Sequence, residues 1–442
     1  MTKPSYSVPA AALGGSMRDF RVLRGTNLLT RIESFFAWQD NRRDHRVWPF
    51  SRATEYGPAT ECAARDDGGQ VMHGVNFASQ DYLSLSAHPA ILQVARDTID
   101  RFGVHSAGSP ALVGNTSLSV ALERRIADFL QMREVVLYPT GWGAGFGVVK
   151  GLVRSADHVL LDNLAHSCLQ EGAMAATRNV YRYRHLDLEH CRHYLAKIRA
   201  TDTENGIMVV TEGLFSMDSD TPDIAAMQEL CHEFDATLVV DVAHDLGALG
   251  PDGRGHIGVQ GMLGKVDLVM GSFSKTFGSN GGFVASRNRA IKEYLKFFSP
   301  SNTFSNALSP VQAAVVLKAF EIVDSAEGDR LRASLMGNVM KLRSSLSAAG
   351  LDYYGDPSAI VAVKMGSEAL ARVVSREIGD AGLLANLVEF PAVSKGAARF
   401  RLQVMAGHSE ANIADAVRIM HKAYHDAKAI LDDGAGDQAA AA

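Results

Sequence analysis

The stretch Asp267-Leu268-Val269-Met270-Gly271-Ser272-Phe273-Ser274-Lys275-Thr276-Phe277-Gly278 decides how the rest of the chain is read. Its first half is an apolar run, Asp267 to Gly271, that predicts a buried strand. Its second half sets Lys275 among small and hydroxyl residues at the strand's carboxyl end, the edge where open α/β sheets bind ligands. A lysine held in a partly desolvated place gives up its proton more readily and becomes a nucleophilic amine towards an aldehyde, while the Ser272 hydroxyl can donate to a phosphate. Taken alone, the same residues read equally well as a surface lysine in a turn.

Working outward, the chain from about residue 76 alternates short β-branched runs with helical patterns, the signature of an α/β domain with a mostly parallel sheet. The expected strands are seven: Val135–Tyr138, His158–Leu161, Val180–Arg184, Ile207–Thr211, Thr237–Asp241, Asp267–Gly271 and Gly282–Ala285. Between them, Ile224, Met227, Cys231 and Phe234 recur at helical spacing and form a face for the sheet. After Pro310 the pattern lengthens into helices, with Leu331, Leu335, Val339, Leu342 and Leu346 in register, and then returns to strand-like runs at Ile360–Val363 and Phe400–Val404. This predicts a segment at 1–75, a large domain at 76–300, a smaller α+β domain at 301–431 and a frayed tail at 432–442.

Composition narrows the class of partner. The 442 residues are 47% hydrophobic and 21% charged with a formal net charge of −5 and no long block of one sign, so no footprint for nucleic acid or an anionic membrane is present. No apolar run approaches the roughly 20 residues that cross a bilayer, and the stretch Val8 to Leu13 behind Lys3 is too brief for a secretory signal. Cys62, Cys168, Cys191 and Cys231 lack metal-binding or redox spacing, which favours reduced thiols in the cytoplasm and no metal site. Small molecules remain.

Three further features meet Lys275 at strand ends. Asp241-Val242-Ala243-His244 closes the strand Thr237–Asp241, and a carboxylate there can pair with a protonated pyridine nitrogen while His244 serves a phenolic oxygen; each residue alone also reads as a capping group. Pro139-Thr140-Gly141-Trp142-Gly143 is a glycine-rich turn whose backbone N–H groups suit a phosphate, although it has neither the Walker nor the dinucleotide spacing. His166 follows the strand His158–Leu161 and can stack on a flat ring, and Arg399-Phe400-Arg401 offers a fork for a carboxylate or, alternatively, two solvent-facing side chains.

Taken together, these stretches resemble the α-oxoamine synthases, fold-type I pyridoxal 5'-phosphate (PLP) enzymes that include serine palmitoyltransferase, 8-amino-7-oxononanoate synthase, 2-amino-3-ketobutyrate ligase and 5-aminolevulinate synthase. The likeness covers roughly residues 76 to 425. It runs through Asp81-Tyr82-Leu83-Ser84-Leu85, Gly141-Trp142, Ala165-His166-Ser167, Arg182-Tyr183-Arg184-His185, the stretch Thr211 to Asp218, Asp241 to His244, Gly250 to Gly255, Ser272 to Lys275 and Arg399 to Arg401. The resemblance implies that Lys275 carries PLP as a Schiff base, that Asp241 pairs with the pyridine nitrogen, and that His166 stacks on the ring. Ser216 and His244 would contact the phenolic oxygen. Gly141, Trp142 and Ser272 would hold the phosphate, joined by Ser305 and Asn306 from a second copy, which makes a homodimer the expected assembly. Arg401 matches the arginine for the amino acid carboxylate, with Gln80 close to it. The implied reaction joins a small amino acid to an acyl thioester, on CoA or an acyl carrier protein, with loss of CO2.

The sequence also departs from that pattern. Val242 stands where glutamate is usual, Asp245 where serine is common, Gln80 where asparagine is frequent, and Ser109-Pro110 where many members read Ser-Arg. The last change favours a plain fatty acyl chain, as in serine palmitoyltransferase, over one ending in a carboxylate, as in 8-amino-7-oxononanoate synthase. Quorum-signal α-aminoketone synthases share Asp81-Tyr82-Leu83 and Gly141-Trp142. Another fold-type I enzyme, such as an aminotransferase, is the first rival, and a non-catalytic partner subunit is the rival of a different class.

Overall fold

The computed structural model describes residues 8–440. All seven expected strands form, and they form one sheet: β1 (Glu134–Tyr138), β2 (His158–Asp162), β3 (Val180–Tyr183), β4 (Ile207–Glu212), β5 (Thr237–Asp241), β6 (Leu268–Ser272) and β7 (Gly282–Ser286). Their spatial order is β1-β7-β6-β5-β4-β2-β3. Only β7 runs against its neighbours, pairing antiparallel with β1 and β6. The parallel strands are uninterrupted apolar runs because both faces are covered: every residue of β2, β4 and β6 is buried.

Helix α1 (Gly141–Leu152) and helix α2 (Ser167–Ala176) cover one side, and a single core joins Val148 and Leu169 to Leu161, Val210, Val239, Met270 and Val284. Each such side chain contributes about 1.5–3 kcal/mol when fully buried. Helix α3 (Ile224–Glu233) buries Ile224, Met227 and Cys231, the face expected from their spacing.

The chain divides into two compact units, Gln80–Leu335 and a second built from residues up to Ser79 together with Met336 onward. These cuts differ from the expected boundaries at 75 and 300. Helix Pro310–Val323 belongs with the large unit because it packs on helices Pro89–Phe102 and Ser117–Leu130. Residues 53–76 belong with the C-terminal part because Leu383–Leu384 adds to their sheet as a parallel strand, pairing with Val75 and Asn76. The stretch expected to fray continues the last helix, Glu410–Ala440, while Lys3 and residues 441–442 lie outside the described residues.

The second unit has a second sheet, in which strand Ala398–Gln403 lies between Ile360–Gly366 and Asn386–Val388. It also holds a buried charge network. Arg372 Nε donates to Glu389 Oε2 at 2.7 Å, Arg42 Nη1 lies 3.4 Å from Glu389 Oε1, and all three residues are at most 6% exposed. The surplus cation is met by dipoles and rings: Arg372 donates to the carbonyls of Leu13, Gly14 and Gly15, and Arg42 donates to Val47 O and sits over Trp38 and Trp48.

Candidate active site

The carboxyl ends of the parallel strands carry the titratable groups. Register places Glu212, the last residue of β4, directly beside Asp241, the last residue of β5. Both are buried, at 4% and 6% exposure. Burial raises the proton affinity of each carboxylate, and for Glu212 the charge of Asp241 raises it further. His166 and Lys275 are close enough to Asp241 to oppose that shift by their positive charge. Lys275, half-buried beyond β6, therefore shares a site with Asp241, Glu212 and His166, as the strand-end reading requires.

His166 caps α2. Its Nδ1 accepts from Cys168 N at 3.3 Å, and its backbone N–H donates to Glu212 Oε1 at 2.6 Å. Glu212 thus positions the turn that carries His166. Asp241 Oδ1 accepts from Ala243 N at 2.9 Å, a tight turn that sends His244 back over the sheet edge. There His244 Nδ1 meets the Tyr82 hydroxyl at 2.9 Å, with Tyr82 fully buried. Ser216, also buried, lies in the loop after β4.

The glycine turn faces Ser272. Thr140 caps α1 by accepting from Gly143 N at 2.9 Å, which leaves the N–H groups of Gly141 and Trp142 without intrahelical acceptors. A Cβ at Gly141 would collide with the Ser272 side chain, so only glycine lets β6 come this near the helix end. The Trp142 indole, half-exposed, stacks on Phe146 and contributes nothing but its backbone to this cradle.

Arg401, Ser305, Asn306 and Gln80 are carried by elements other than these strand ends and the glycine turn. Arg401 sits on the middle strand of the other unit's second sheet, opposite Ala362 and Asn386, and its neighbour in the fork, Arg399, is 4% exposed with its guanidinium 3.9 Å from the Tyr354 ring centroid. The Arg399 side chain is therefore not solvent-facing. Ser305 is half-buried and Asn306 exposed, and Asn306 Nδ2 contacts His105 Nε2 at 3.1 Å. Gln80 is half-buried at the start of the large unit.

Sequence reasoning gave no role to Glu212, Tyr82 or Asp245. The position of Glu212 at the end of a strand next to β5 is a signal available beforehand. Tyr82 is far from His244 in sequence and nothing local announces it. Asp245 is fully buried; its Oδ2 accepts from His256 N at 2.7 Å and its Oδ1 has no partner among the described residues. A Cβ at Gly213 or Gly255 would come within 2.6 or 2.7 Å of that carboxyl, and Gly255 has φ +62°. Burial pushes the Asp245 carboxyl up to about 7, with the nearby Asp241 adding to the effect.

The profile of the family described as Aminotransferase class I and II matches residues 72–420. The chain belongs to that family. Within it, its relatives are α-oxoamine synthases. An 8-amino-7-oxononanoate synthase of Geotalea daltonii is 34% identical over 351 residues, covering 79% of this chain and 88% of the relative. A serine palmitoyltransferase of Sphingobacterium spiritivorum is 32% identical over 362 residues, covering 82% and 88%. A serine palmitoyltransferase of S. paucimobilis, solved with PLP and myriocin bound, superposes with a TM-score of 0.84 at 26% identity, covering 91% of this chain and all of that one. The chain is a PLP-dependent acyltransferase of fold type I.

The residues of this α-oxoamine synthase fit the cofactor. The two free helix N–H groups and Ser272 form an anion cradle, Lys275 supplies the amine, and Asp241 at its strand end supplies a carboxylate for a protonated ring nitrogen. A second cluster, His185 with Asp218 and Asp220, has ligand atoms within 4.8 Å of one another. Its histidine already bridges Asp162 and Asp220, at 2.9 and 3.0 Å. Burial disfavours its charge, but the two carboxylates outweigh burial and raise it to about 10, so the ring is an ion-pair partner with both nitrogens occupied.

Proposed function

We propose that this enzyme condenses a small amino acid with an acyl thioester, releasing thiol and CO2 to give an α-amino ketone, and that the acyl group is a plain fatty chain as in serine palmitoyltransferase. The observation that supports the chemistry most directly is the strand-end pair of Asp241 and Lys275, set across β5 and β6 and electrostatically coupled.

PLP, when bound, supplies an aldehyde for the amino group and a ring that takes up the electron pair released at Cα. Asp241 holds the proton on the ring nitrogen, and Glu212, itself pushed towards the neutral acid, keeps His166 in place by accepting its N–H. The Lys275 amine takes the Cα proton and later returns it. His244, fixed by Tyr82, and Ser216 serve the phenolic oxygen, while Gly141, Trp142 and Ser272 hold the phosphate, with Ser305 and Asn306 supplied by a second copy. Arg401, with Gln80, takes the amino acid carboxylate through its planar fork.

The acyl specificity rests on residues 109–110. Ser109 is occupied by the Thr303 carbonyl at 2.7 Å, and Pro110 brings no cation where a carboxylated chain would need one. A cytoplasmic setting accords with four unbonded cysteines, three of them buried. A second reading, an 8-amino-7-oxononanoate synthase, is favoured by the 34% identical relative.

The test is incubation of the holoenzyme with small amino acids and acyl thioesters, scored by mass spectrometry. Amino ketone from L-serine and palmitoyl-CoA is the expected result. Product only with an acyl chain ending in a carboxylate overturns the fatty-acyl reading, and transamination without thiol or CO2 release overturns the condensation itself.

A further inference from the structure

The opposite edge of the large unit's sheet carries a groove of about 880 Å³, formed where β4, β5 and β6 begin and β7 ends. Strands of five residues at ~3.3 Å each put it about 16 Å from the carboxyl ends that hold Lys275. One wall is cationic. Arg133, Lys265, Arg287 and Arg289 line it, and none of the four has a side-chain hydrogen bond or ion pair among the described residues. Arg125 of this unit is held by Asp324 and Arg192 by Glu233, whereas these four cations share one groove without such a bond, in a chain with net charge −5.

Backbone bonds hold that wall together. Arg133 N donates to Ser286 O at 3.2 Å and Gly264 N donates to Leu130 O at 3.0 Å, which gathers three distant segments, and Asn288 caps α4 (Arg289–Phe298) by accepting from Ala290 N. The acidic residues of the groove are largely spoken for. Asp157 accepts from Arg154 N and Gly206 N at 2.7 and 2.8 Å, and Asp267 accepts from Leu238 N and Gln228 Nε2 at 2.9 and 2.8 Å. Asp235 alone among them has no such bond. The floor is apolar, made by Val153, Met208 and Leu268, each at most 4% exposed.

A cationic wall over an apolar floor matches a phosphate ester that carries an apolar or flat body. We propose that this groove is a second ligand site of the enzyme, binding the phosphate of such a molecule on Arg133, Lys265, Arg287 and Arg289 at the edge remote from the chemistry. A nucleotide and a short phospholipid share this chemistry.

The two sources separate in one experiment on the holoenzyme, whose cofactor-phosphate cradle is already filled. ATP without metal and dihexanoyl phosphatidic acid are each titrated by calorimetry into wild type and into Arg287→Ser/Arg289→Ser. The expected result is that at least one probe binds, that inorganic pyrophosphate displaces it, and that the double variant binds it at least about tenfold more weakly, the order expected on losing two charge-assisted contacts. The cofactor absorbance should not change. Should the double variant fail to fold, Lys265 in wild type is followed by acetylation and mass spectrometry, and pyrophosphate is expected to slow its modification severalfold relative to the exposed Lys197 and Lys341 of the same digest. No binding of either probe, equal binding by both proteins, or unprotected Lys265 overturns the proposal.

Discussion

The two units bury charge in opposite ways. In the large unit, Glu212, Asp241 and Asp245 crowd negative charge at adjoining strand ends, and burial drives all three towards the neutral form. In the other, Arg42 and Arg372 share one glutamate, and the surplus cation is absorbed by the carbonyls of residues 13–15 and 47 and by two tryptophan rings. The first arrangement is left unbalanced and has use for a bound cationic ring. The second is complete within the chain. Unbalanced burial marks the place for a ligand, and balanced burial marks structure.

Substitutions can break this contrast. Lys275→Ala should remove turnover by at least about a thousandfold with circular dichroism unchanged, because the amine has a chemical role; turnover near wild type defeats the assignment. Arg372→Ala should cost about 3–5 kcal/mol in urea unfolding by leaving Glu389 and three carbonyls short of a donor. Asp241→Asn should do the reverse of that: it should cut turnover by about a hundredfold while leaving the apoprotein as stable as wild type or more so, since a crowded buried acid is relieved. Loss of apoprotein stability would place Asp241 with the structural charges instead.

Asp245 sharpens the contrast by titration. Its native value of about 7 lies above the ordinary carboxyl value of 3.8, so its contribution to stability is full below about pH 4 and is lost as pH rises through 7. Asp245→Asn should therefore flatten the fall in melting temperature between about pH 4 and 7. An unchanged profile would mean that the carboxyl is already ionised. The smallest effect is expected at Arg401→Lys, a severalfold rise in the Michaelis constant for the amino acid with kcat little changed, because a point charge replaces a planar fork.

The sheet was legible because its strands are contiguous apolar runs with functional residues at their ends, and Thr237–Asp241 was bounded correctly to the residue. The gathering of Lys275, Asp241 and His166 at one edge of the sheet could be read for the same reason. The role of residues 8–79 could not be read, since it depends on Val75 and Asn76 pairing with Leu383 and Leu384, a contact with no local signature. Tyr82 against His244 and Arg372 against residues 13–15 are hidden for the same reason.

That parallel pairing also sets an order of events during synthesis. The large unit, residues 80–335, is continuous and has all its strands once Leu335 has left the ribosome. The residues before it have their own hairpin at 53–76 but not Leu383–Leu384, Arg372 and Glu389 until the chain beyond Met336 follows. At ~5–20 residues per second, Phe35, Trp38 and Trp48 have one another but wait on the order of tens of seconds for the Glu389 that pairs with Arg42, while the catalytic sheet assembles. The nascent chain thus holds its cofactor-binding half ready before residues 8–79 have the strand and the arginine that complete their packing.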